Sequence, residues 1–277
     1  MGIDFRACLN ALSDVIINRP KPLRLFDQIY MKLPDMLLHT ELISRWFAGK
    51  SVVFVGDGDA IALSLVHLST QKLLPNSPRH VLVLDFDERV VNSVNHFATS
   101  NGLTQQIEAR LYNVADPLPA ENWQKHDAFH TNPPWGASNK GSSVCAFIER
   151  GIECVFGAAI GCLVIGDHPG YPWTHRVQKV TERLVLDRGF RVAEVLPEFH
   201  SYHLDDAPEL TSCAMMIQHD GVLNTPYSSE PLDRENLQNF YGADAPMRFH
   251  YVRDLTNDGK LASRDVELEP FQERAAP

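Results

Sequence analysis

The 277-residue sequence lacks three features that would each indicate a particular class of protein. It has no run of about 18 apolar residues, so no transmembrane helix is predicted. Its start, MGIDFR, matches neither a secretory signal nor a myristoylation pattern, which favours a cytoplasmic location. It also lacks a surplus of positive charge, since 25 Lys and Arg face 35 Asp and Glu. The net charge of −10 disfavours a protein that grips duplex DNA and suits a cationic or neutral small partner.

Paired cysteines and clustered metal ligands are also missing. The five cysteines contain no CxxC pair and lie mostly in apolar stretches, so we expect free, buried thiols in a reducing compartment. The twelve histidines are scattered and form no HExxH motif. No metal site is therefore predicted.

Apolar spacing divides the chain into three regions. Residues 1–49 form a predicted helical extension, with helices over 5–17 and 33–47. Residues 50–220 alternate between short apolar runs and amphipathic stretches. The predicted strands are 51–55, 80–84, 107–111, 127–131, 158–165, 191–196 and 212–218, and the helices between them are 59–73, 88–99, 142–156 and 173–187. Periodicity fades in residues 221–277, which predicts an irregular, partly mobile tail.

This alternation predicts an α/β fold, a Rossmann-like sheet of seven strands. Strands joined by helices form a parallel sheet with helices on both faces. No helix separates the last two strands, so the final strand is predicted to be antiparallel. Ligands of such sheets bind beyond the carboxyl ends of the strands, where the strand order reverses.

The first strand ends in Gly56-Asp57-Gly58-Asp59, directly before a helix. Glycines allow a tight turn and close approach of the backbone to a ligand. The spacing is not GxGxxG, because Ile61 takes the third glycine position, and two carboxylates would repel a pyrophosphate. They would suit an amine or a sulfonium. The alternative is a capped turn that binds nothing.

Acidic residues also follow the second and third strands. Asp85 ends the second strand, where a carboxylate commonly accepts hydrogen bonds from a ribose diol, whereas Asp87 is expected to cap the next helix. After the third strand, Asn113 to Asp116 could meet the amino group of an adenine ring. The alternatives are a solvated carboxylate for Asp85 and an ordinary turn for the segment ending at Asp116.

The fourth strand ends in Asn132-Pro133-Pro134-Trp135, the most specific motif in the chain. Two prolines stiffen the turn and would direct the Asn132 amide oxygen and a backbone carbonyl the same way. Two such acceptors can bind both protons of an amine, with Trp135 as a flat face beside it. A carboxylate such as Asp57 or Asp59 could stabilise a cationic amine or act as its base. The alternative is a rigid loop with a packed tryptophan.

Two later loops lie on the same edge of the predicted sheet. Residues 167–173 contain Tyr171 and Trp173 and could form a lid, although a structural loop is equally compatible with them. Tyr202 and the acids at 205, 206 and 209 follow the sixth strand. These acids could extend an acidic groove, but a solvated loop is the favoured interpretation.

Together these motifs resemble class I S-adenosylmethionine-dependent transferases. NPPW is similar to the motif of amino-methyltransferases that act on adenine or glutamine amides. Over roughly residues 30–218 the chain resembles the C-terminal domain of the N4-bis(aminopropyl)spermidine synthase family, the branched-chain polyamine synthases. The stretches that carry this resemblance are GDGD at 56–59, LDFDER at 84–89, DPLP at 116–119, NPP at 132–134, RGIE at 150–153 and FHSY at 199–202. At Gly58 and Asn132 the chain departs from a family pattern richer in Asp.

The resemblance implies the class I methyltransferase fold and transfer of aminopropyl groups from decarboxylated S-adenosylmethionine to a polyamine. The alternative is a methyltransferase that uses S-adenosylmethionine, and only then is nucleic acid an expected partner. A third hypothesis is a degenerate, non-catalytic binding protein. We assign catalysis to Asn132, Pro133, Trp135 and Asp59, and cofactor binding to Gly56, Asp57, Gly58, Asp85 and Asp116. No membrane partner is expected, and the N-terminal helices could pair protomers in a homodimer.

Overall fold

The computed structural model describes residues 4–256 and 266–271 and is built on a seven-stranded sheet. The strands are β1 Ser51–Val55, β2 His80–Asp85, β3 Ile107–Leu111, β4 His126–Thr131, β5 Val155–Gly166, β6 Phe190–Ser201 and β7 Thr211–His219. Their order is β3-β2-β1-β4-β5-β7-β6. Strands β1 to β5 pair in parallel, and β7 is antiparallel to both β5 and β6. The predicted α/β fold and its antiparallel last strand are confirmed.

The described residues form six α-helices around the sheet, close to their predicted bounds. They are α1 Phe5–Asn18, α2 Leu33–Trp46, α3 Ile61–Thr70, α4 Glu88–Ser100, α5 Ser142–Cys154 and α6 Pro172–Asp187. Helix α3 begins two residues later than predicted, because the turn after β1 continues to Ala60, which has a positive φ of 61°. Strand β6 runs five residues further than predicted, which carries His200 and Ser201 onto the sheet.

Alternation along β1 explains how one sheet supports two cores. Val52 and Phe54 face the cluster packed by α1 to α4, whereas Val53 and Val55 face the cluster packed by α5 and α6. All five residues of β1 are buried, as expected for a central parallel strand covered on both sides.

The N-terminal helices form a second layer over one face of the sheet. Residues 61–68 of α3 are buried without exception, because α1 and α2 cover the side of α3 that turns away from the sheet. Cys8 and Leu12 of α1 are fully buried in the same cluster. A helix that is apolar all round is stable only when both of its sides are covered.

The region after residue 220 is more ordered than the sequence predicts. It contains a hairpin of β8 Phe249–Asp254 and β9 Val266–Pro270, and it buries Phe240, Met247 and Val252 in the core. The aromatic and apolar residues responsible have no helical or strand period, which is why patterning misses them. Of the predicted tail, residues 257–265 and 272–277 lie outside the described part. The division into three regions stays a prediction.

None of the described helices is long and apolar enough to cross a membrane. All five cysteines are free thiols, and four of them are buried. Burial raises the pKa of Cys145 to about 11 and that of Cys213 to about 12. These are the unreactive core thiols that the sequence predicts.

Candidate active site

The carboxyl ends of β1, β2 and β4 meet at a cavity of about 340 Å³, a typical size for a small-molecule site. Of the predicted site residues, Asp116 alone does not line it. The eight that do are Gly56, Asp57, Gly58, Asp59, Asp85, Asn132, Pro133 and Trp135. The structure therefore brings these residues together, and their roles stay predictions.

The turn after β1 depends on glycine at one position. Gly56 has a φ of +75°, and a Cβ there would lie 3.0 Å from the ring of Phe147. The next residue, Asp57, turns its carboxylate onto the start of α3 and accepts hydrogen bonds from the backbone N–H of Ile61 (2.9 Å) and Ala62 (3.0 Å). Asp57 thus satisfies the helix N-terminus that the turn creates.

Asp85 connects this turn to the end of β2. Its two carboxylate oxygens accept hydrogen bonds from the backbone N–H of Asp57 and of Asp87, both at 2.9 Å. Burial, with the nearby charge of Asp87, raises the pKa of Asp85 to about 7. The carboxylate is nearly inaccessible to solvent but lines the cavity, the position expected for a partner of a ribose diol.

Asp87 caps α4 as predicted, because its carboxylate accepts from the Arg89 backbone N–H at 3.1 Å. The same carboxylate forms a buried pair with the Arg89 guanidinium (2.5 and 2.9 Å) and accepts from Gln28 (3.1 Å). This contact ties the segment before α2 to the end of β2, over the cavity.

The structure does not bring Asp116 to this cavity, so the predicted contact of Asp116 with the cofactor stays a prediction without structural support. Its carboxylate lies 2.5 Å from His250 Nε2 and 3.4 Å from the Tyr251 hydroxyl, both on β8. Asn113, in the same loop, donates to the His250 backbone carbonyl. The strand pair β8–β9, which the sequence pattern does not predict, occupies this corner of the sheet.

Asp59 and Asn132 lie in a second part of the cavity, which Trp135 and Tyr202 also line. Asp59 Oδ1 accepts from the Met31 backbone N–H, and Oδ2 accepts from Asn132 Nδ2, both at 2.8 Å. Arg19 donates to the Asp59 backbone carbonyl at 3.2 Å. Burial raises the pKa of the Asp59 carboxyl, although these hydrogen bonds and the Arg19 charge oppose the rise. A buried carboxylate with a raised pKa is suited to accept a proton.

The tryptophan of NPPW forms a wall of this half. Its ring stands edge-on to Tyr202 at 5.0 Å and packs on Gly166, where a Cβ would lie 3.0 Å from the indole. The indole Nε1 of Trp135 is buried and has no hydrogen-bond partner. Buried donors are rarely left unpaired in folded proteins.

Several cavity residues were missed because they lie outside the predicted sheet. The segment 24–30 and residues 240–242 also line the cavity. Phe26 packs edge-on against both Phe86 (5.1 Å) and Tyr241 (5.2 Å), which joins the two segments. The sequence signal available for these segments was the presence of aromatic residues in regions that are rich in proline and have no helical or strand periodicity. Tyr171, Trp173, Tyr202 and Asp206, noted in the sequence without a firm role, also line the cavity.

The charges that line the cavity are strongly unbalanced. Five aspartates line it, namely Asp27, Asp57, Asp59, Asp85 and Asp206. Arg24 is the one cation among the described lining residues, and it already pairs with Asp206 at 3.4 Å near the mouth. Such a site favours a cationic ligand.

Among the described residues, one group of side chains of metal-binding types lies close together, although no sequence spacing predicts it. The side-chain donor atoms of His39, His130 and Cys162 all lie within 4.8 Å of one another, and all three residues are buried. The grouping arises because His130 and Cys162 are register partners on β4 and β5. His39 from α2 approaches from the layer above.

The strand order, the antiparallel β7 and the cavity at the carboxyl edge define the class I methyltransferase fold. The model of the branched-chain polyamine synthase A C-terminal domain matches residues 7–255, so the chain belongs to that family. The match is longer at both ends than the resemblance seen in the sequence, and it includes β8.

Individual relatives agree with this assignment. The N(4)-bis(aminopropyl)spermidine synthases of Thermus thermophilus and Thermococcus kodakarensis are 28% and 29% identical over 66% and 72% of this chain. The chain spans only about half the length of these two curated relatives, 50% and 53%. A crystal structure of the Thermus thermophilus branched-chain polyamine synthase, in complex with N4-aminopropylspermidine and 5′-methylthioadenosine, matches with a TM-score of 0.67 and 21% identity. It covers 83% of this chain and 69% of that one.

Proposed function

We propose that this chain transfers an aminopropyl group from decarboxylated S-adenosylmethionine to a nitrogen of a polyamine. Membership of the polyamine synthase family supports the reaction class. The unbalanced charge of the cavity supports a donor and an acceptor that are both cations. Because the chain spans only about half the length of these relatives, their activity is carried to this chain as a proposal.

The observation that carries the choice of donor is the position of Asp57. A helix N-terminus at the cavity is the natural place for the carboxylate of S-adenosylmethionine. Here Asp57 already accepts from the free N–H groups of α3, and a second carboxylate, Asp59, follows in the same turn. A ligand carboxylate would meet these acids, and Arg24 is the one cation among the described residues that line the cavity. The decarboxylated donor avoids this repulsion.

The part of the cavity around Gly56, Asp57 and Asp85 is called the donor half, and it fits a nucleoside with a sulfonium. Asp85 is placed to accept from the ribose hydroxyls, and the rings of Phe86 and Tyr241, tilted by 29°, offer flat apolar surface for an adenine. Gly56 allows the backbone to approach the nucleoside closely. The sulfonium supplies an electrophilic carbon and a neutral leaving thioether.

The part of the cavity around Asp59, Asn132 and Trp135 is called the acceptor half. It must hold an amine and remove a proton from it. A protonated amine has no lone pair, so one proton leaves before the nitrogen attacks. Asn132 cannot accept that proton as an amide, whereas the Asp59 carboxylate beside it can. Trp135 and Tyr202 offer ring faces to the alkylammonium chain, and Asp27 and Asp206 offer charges to its remote ammonium groups. The residues contribute mainly by orienting the nitrogen toward the carbon.

Incubation of the purified chain with a polyamine and each of the two donors tests the proposal. We expect the polyamine to gain the mass of an aminopropyl group, with release of 5′-methylthioadenosine, only with the decarboxylated donor. Calorimetry should show tighter binding of that donor. A methyl gain with S-adenosylmethionine would establish the alternative, with an adenine or amide amino group as acceptor. Binding of neither donor would support the non-catalytic hypothesis.

Two partner predictions from the sequence stay open to measurement. A nucleic-acid acceptor belongs only to the methyl-transfer alternative, and the assay above distinguishes it. Self-association through the N-terminal helices is a separate prediction that sedimentation of the purified chain tests.

A further inference from the structure

A short turn at the mouth of the cavity carries Arg24, the one Lys or Arg among the described residues that line the cavity. The turn Arg24–Phe26 is a single 3-10 turn, closed by a hydrogen bond from the Asp27 backbone N–H to the Arg24 carbonyl at 3.1 Å. Phe26 is buried, whereas the Arg24 side chain is 53% exposed. The buried ring therefore fixes the turn, and the guanidinium reaches outward on a flexible stem.

Two carboxylates lie near this guanidinium. Arg24 contacts Asp206 through one nitrogen and one oxygen at 3.4 Å, and 77% of the Asp206 side chain is exposed. Asp27, in the same turn, is within electrostatic reach of both: burial raises its pKa to about 6, the Arg24 charge opposes the rise, and the Asp206 charge adds to it. Asp27 is therefore charged at pH 8, and one cation is set against two anions.

The geometry of the contact between Arg24 and Asp206 makes it weak. Its length of 3.4 Å exceeds the usual range for an N–H···O bond, and a single contact lacks the two-bond fork that makes arginine–carboxylate pairs strong. Exposed pairs contribute little to stability, because water screens the charges and both side chains lose freedom. Arg24 can therefore leave Asp206 at small cost when another cation arrives.

Acidic groups line the cavity at two depths. Asp59, the proposed base, is 5% exposed, whereas Asp206 at the mouth is mostly exposed. The loop that carries Asp206 also contributes the buried apolar side chains of Leu204 and Leu210 to the lining. A lining with acids at two depths and apolar side chains beside them matches a chain of methylene groups that carries ammonium groups along its length.

A polyamine places several cations on one flexible chain. When one of its nitrogens reacts beside Asp59, the nitrogens further along the chain stay protonated and extend away from that carboxylate. Asp206 and Asp27 are the carboxylates placed for such a remote ammonium, and Arg24 is a cation that already lies beside them. Two cations that approach the same carboxylates compete, because each repels the other.

We propose that Arg24 is a specificity-determining residue that competes with the remote ammonium of the acceptor for Asp206, beside Asp27, an inference that rests on the proposed function. An acceptor with a remote ammonium displaces the guanidinium into solvent and gains the carboxylates at the mouth. An acceptor without a remote ammonium leaves Arg24 in place and gains nothing there. Arg24 therefore sets how tightly the cavity holds a polycation.

Steady-state kinetics of a charge series at position 24 test the competition. We expect KM for spermidine at pH 8 to fall about 2- to 5-fold in Arg24→Gln, the factor that an exposed ion pair is worth, and to fall further in Arg24→Glu. Arg24→Lys keeps the charge and should stay near the wild type. The sign is diagnostic, because damage to the cavity raises KM. A KM that is unchanged or higher in Arg24→Gln overturns the proposal.

Two controls restrict the effect to the mouth and to the remote ammonium. Arg191→Gln breaks a pair of similar exposure, with Asp220 at 3.2 Å, and Arg191 does not line the cavity, so KM should not move. N-propylbutylamine has the secondary amine and the carbon chain of spermidine but no remote ammonium, so its kcat/KM should not respond to Arg24→Gln. A gain as large as that for spermidine in either control overturns the proposal.

The double variant Arg24→Gln, Asp206→Asn tests whether the two residues act together. Asp206→Asn alone should raise KM for spermidine, because the remote ammonium loses a carboxylate. Arg24→Gln should then gain less in that background than in the wild type, since residues in direct contact have non-additive effects. A gain of equal size in both backgrounds would show that Arg24 does not act through Asp206 and would overturn the proposal.

Calorimetry without turnover separates this inference from the proposed function. Spermidine titrated into the chain together with 5′-methylthioadenosine measures affinity whether or not a group is transferred. A wild-type chain that binds spermidine but transfers nothing contradicts the proposed function alone, and the dissociation constants of the charge series then decide the competition. An active wild-type chain with no gain in Arg24→Gln overturns the competition alone. A chain that neither binds nor modifies spermidine contradicts both.

Discussion

The two halves of the cavity hold their aspartates in different ways. In the donor half, Asp57 and Asp85 accept hydrogen bonds from backbone N–H groups of the turns themselves. In the acceptor half, Asp59 accepts one backbone N–H from a distant segment, at Met31, and one side-chain N–H from Asn132. The donor half is thus fixed by local backbone geometry, and the acceptor half by side chains from distant parts of the chain.

The two ways of holding an aspartate suit two different functions. A carboxylate held by backbone amides of its own turn is fixed in place, which suits the binding of a ribose or the capping of a helix. A carboxylate that contacts Asn132 and has a raised pKa, as Asp59 does, is suited to accept a proton from the amine. We therefore expect changes in the acceptor half to alter turnover and changes in the donor half to alter affinity.

The largest effect is expected from Asn132→Ala, which removes the link between Asp59 and the acceptor nitrogen. We predict a loss of about 100-fold in kcat with little change in donor affinity, because Asn132 orients the reacting amine. Steady-state kinetics and calorimetry with the donor measure the two quantities. An equal loss of donor affinity would show that the halves are not separate.

A smaller effect of the opposite kind is expected from Asp85→Ala. Loss of hydrogen bonds to a charged group costs about 1.5–3 kcal/mol, so the dissociation constant of the donor should rise about 10- to 100-fold. The control is Asp116→Asn, in the loop after the neighbouring strand β3, because Asp116 does not line the cavity. We expect it to leave donor affinity unchanged. Unchanged affinity in Asp85→Ala would refute the ribose role.

The smallest effect concerns Asp27, at the edge of the acceptor half. Burial raises its pKa to about 6, although Arg24 opposes the rise. Because the folded pKa exceeds the unfolded value of about 4, this carboxyl favours folding most below pH 4 and loses that contribution as pH rises through 6. Asp27→Asn should therefore raise the free energy of unfolding by about 1 kcal/mol at pH 8 and change it little at pH 4.

Thermal melts at pH 4 and pH 8 check this prediction. Asparagine tolerates the positive φ of 56° at position 27, so the backbone is not expected to respond. The same variant should bind the polyamine more weakly. A stabilised protein with full polyamine affinity would place Asp27 outside the acceptor half.

The comparison also explains which parts were predictable from sequence. Gly56, Asp57 and Asp85 follow from local patterns, because a strand end, a turn and a helix start define them within a few residues. The segments 24–30 and 240–242 have no such pattern and reach the cavity only through long-range packing of Phe26 and Tyr241. The contact between His39 and His200 has no sequence signal for the same reason, since the two residues are 161 positions apart.

The contact of Phe26 with Tyr241 has one more consequence. The cavity exists only when a segment near the start of the chain and one near its end are docked on the same sheet. A bound nucleoside that rests on both segments would protect both from opening, since a ligand stabilises the conformation that binds it. Limited proteolysis should then register occupancy at two places remote in sequence, and cutting at either should slow when 5′-methylthioadenosine is added.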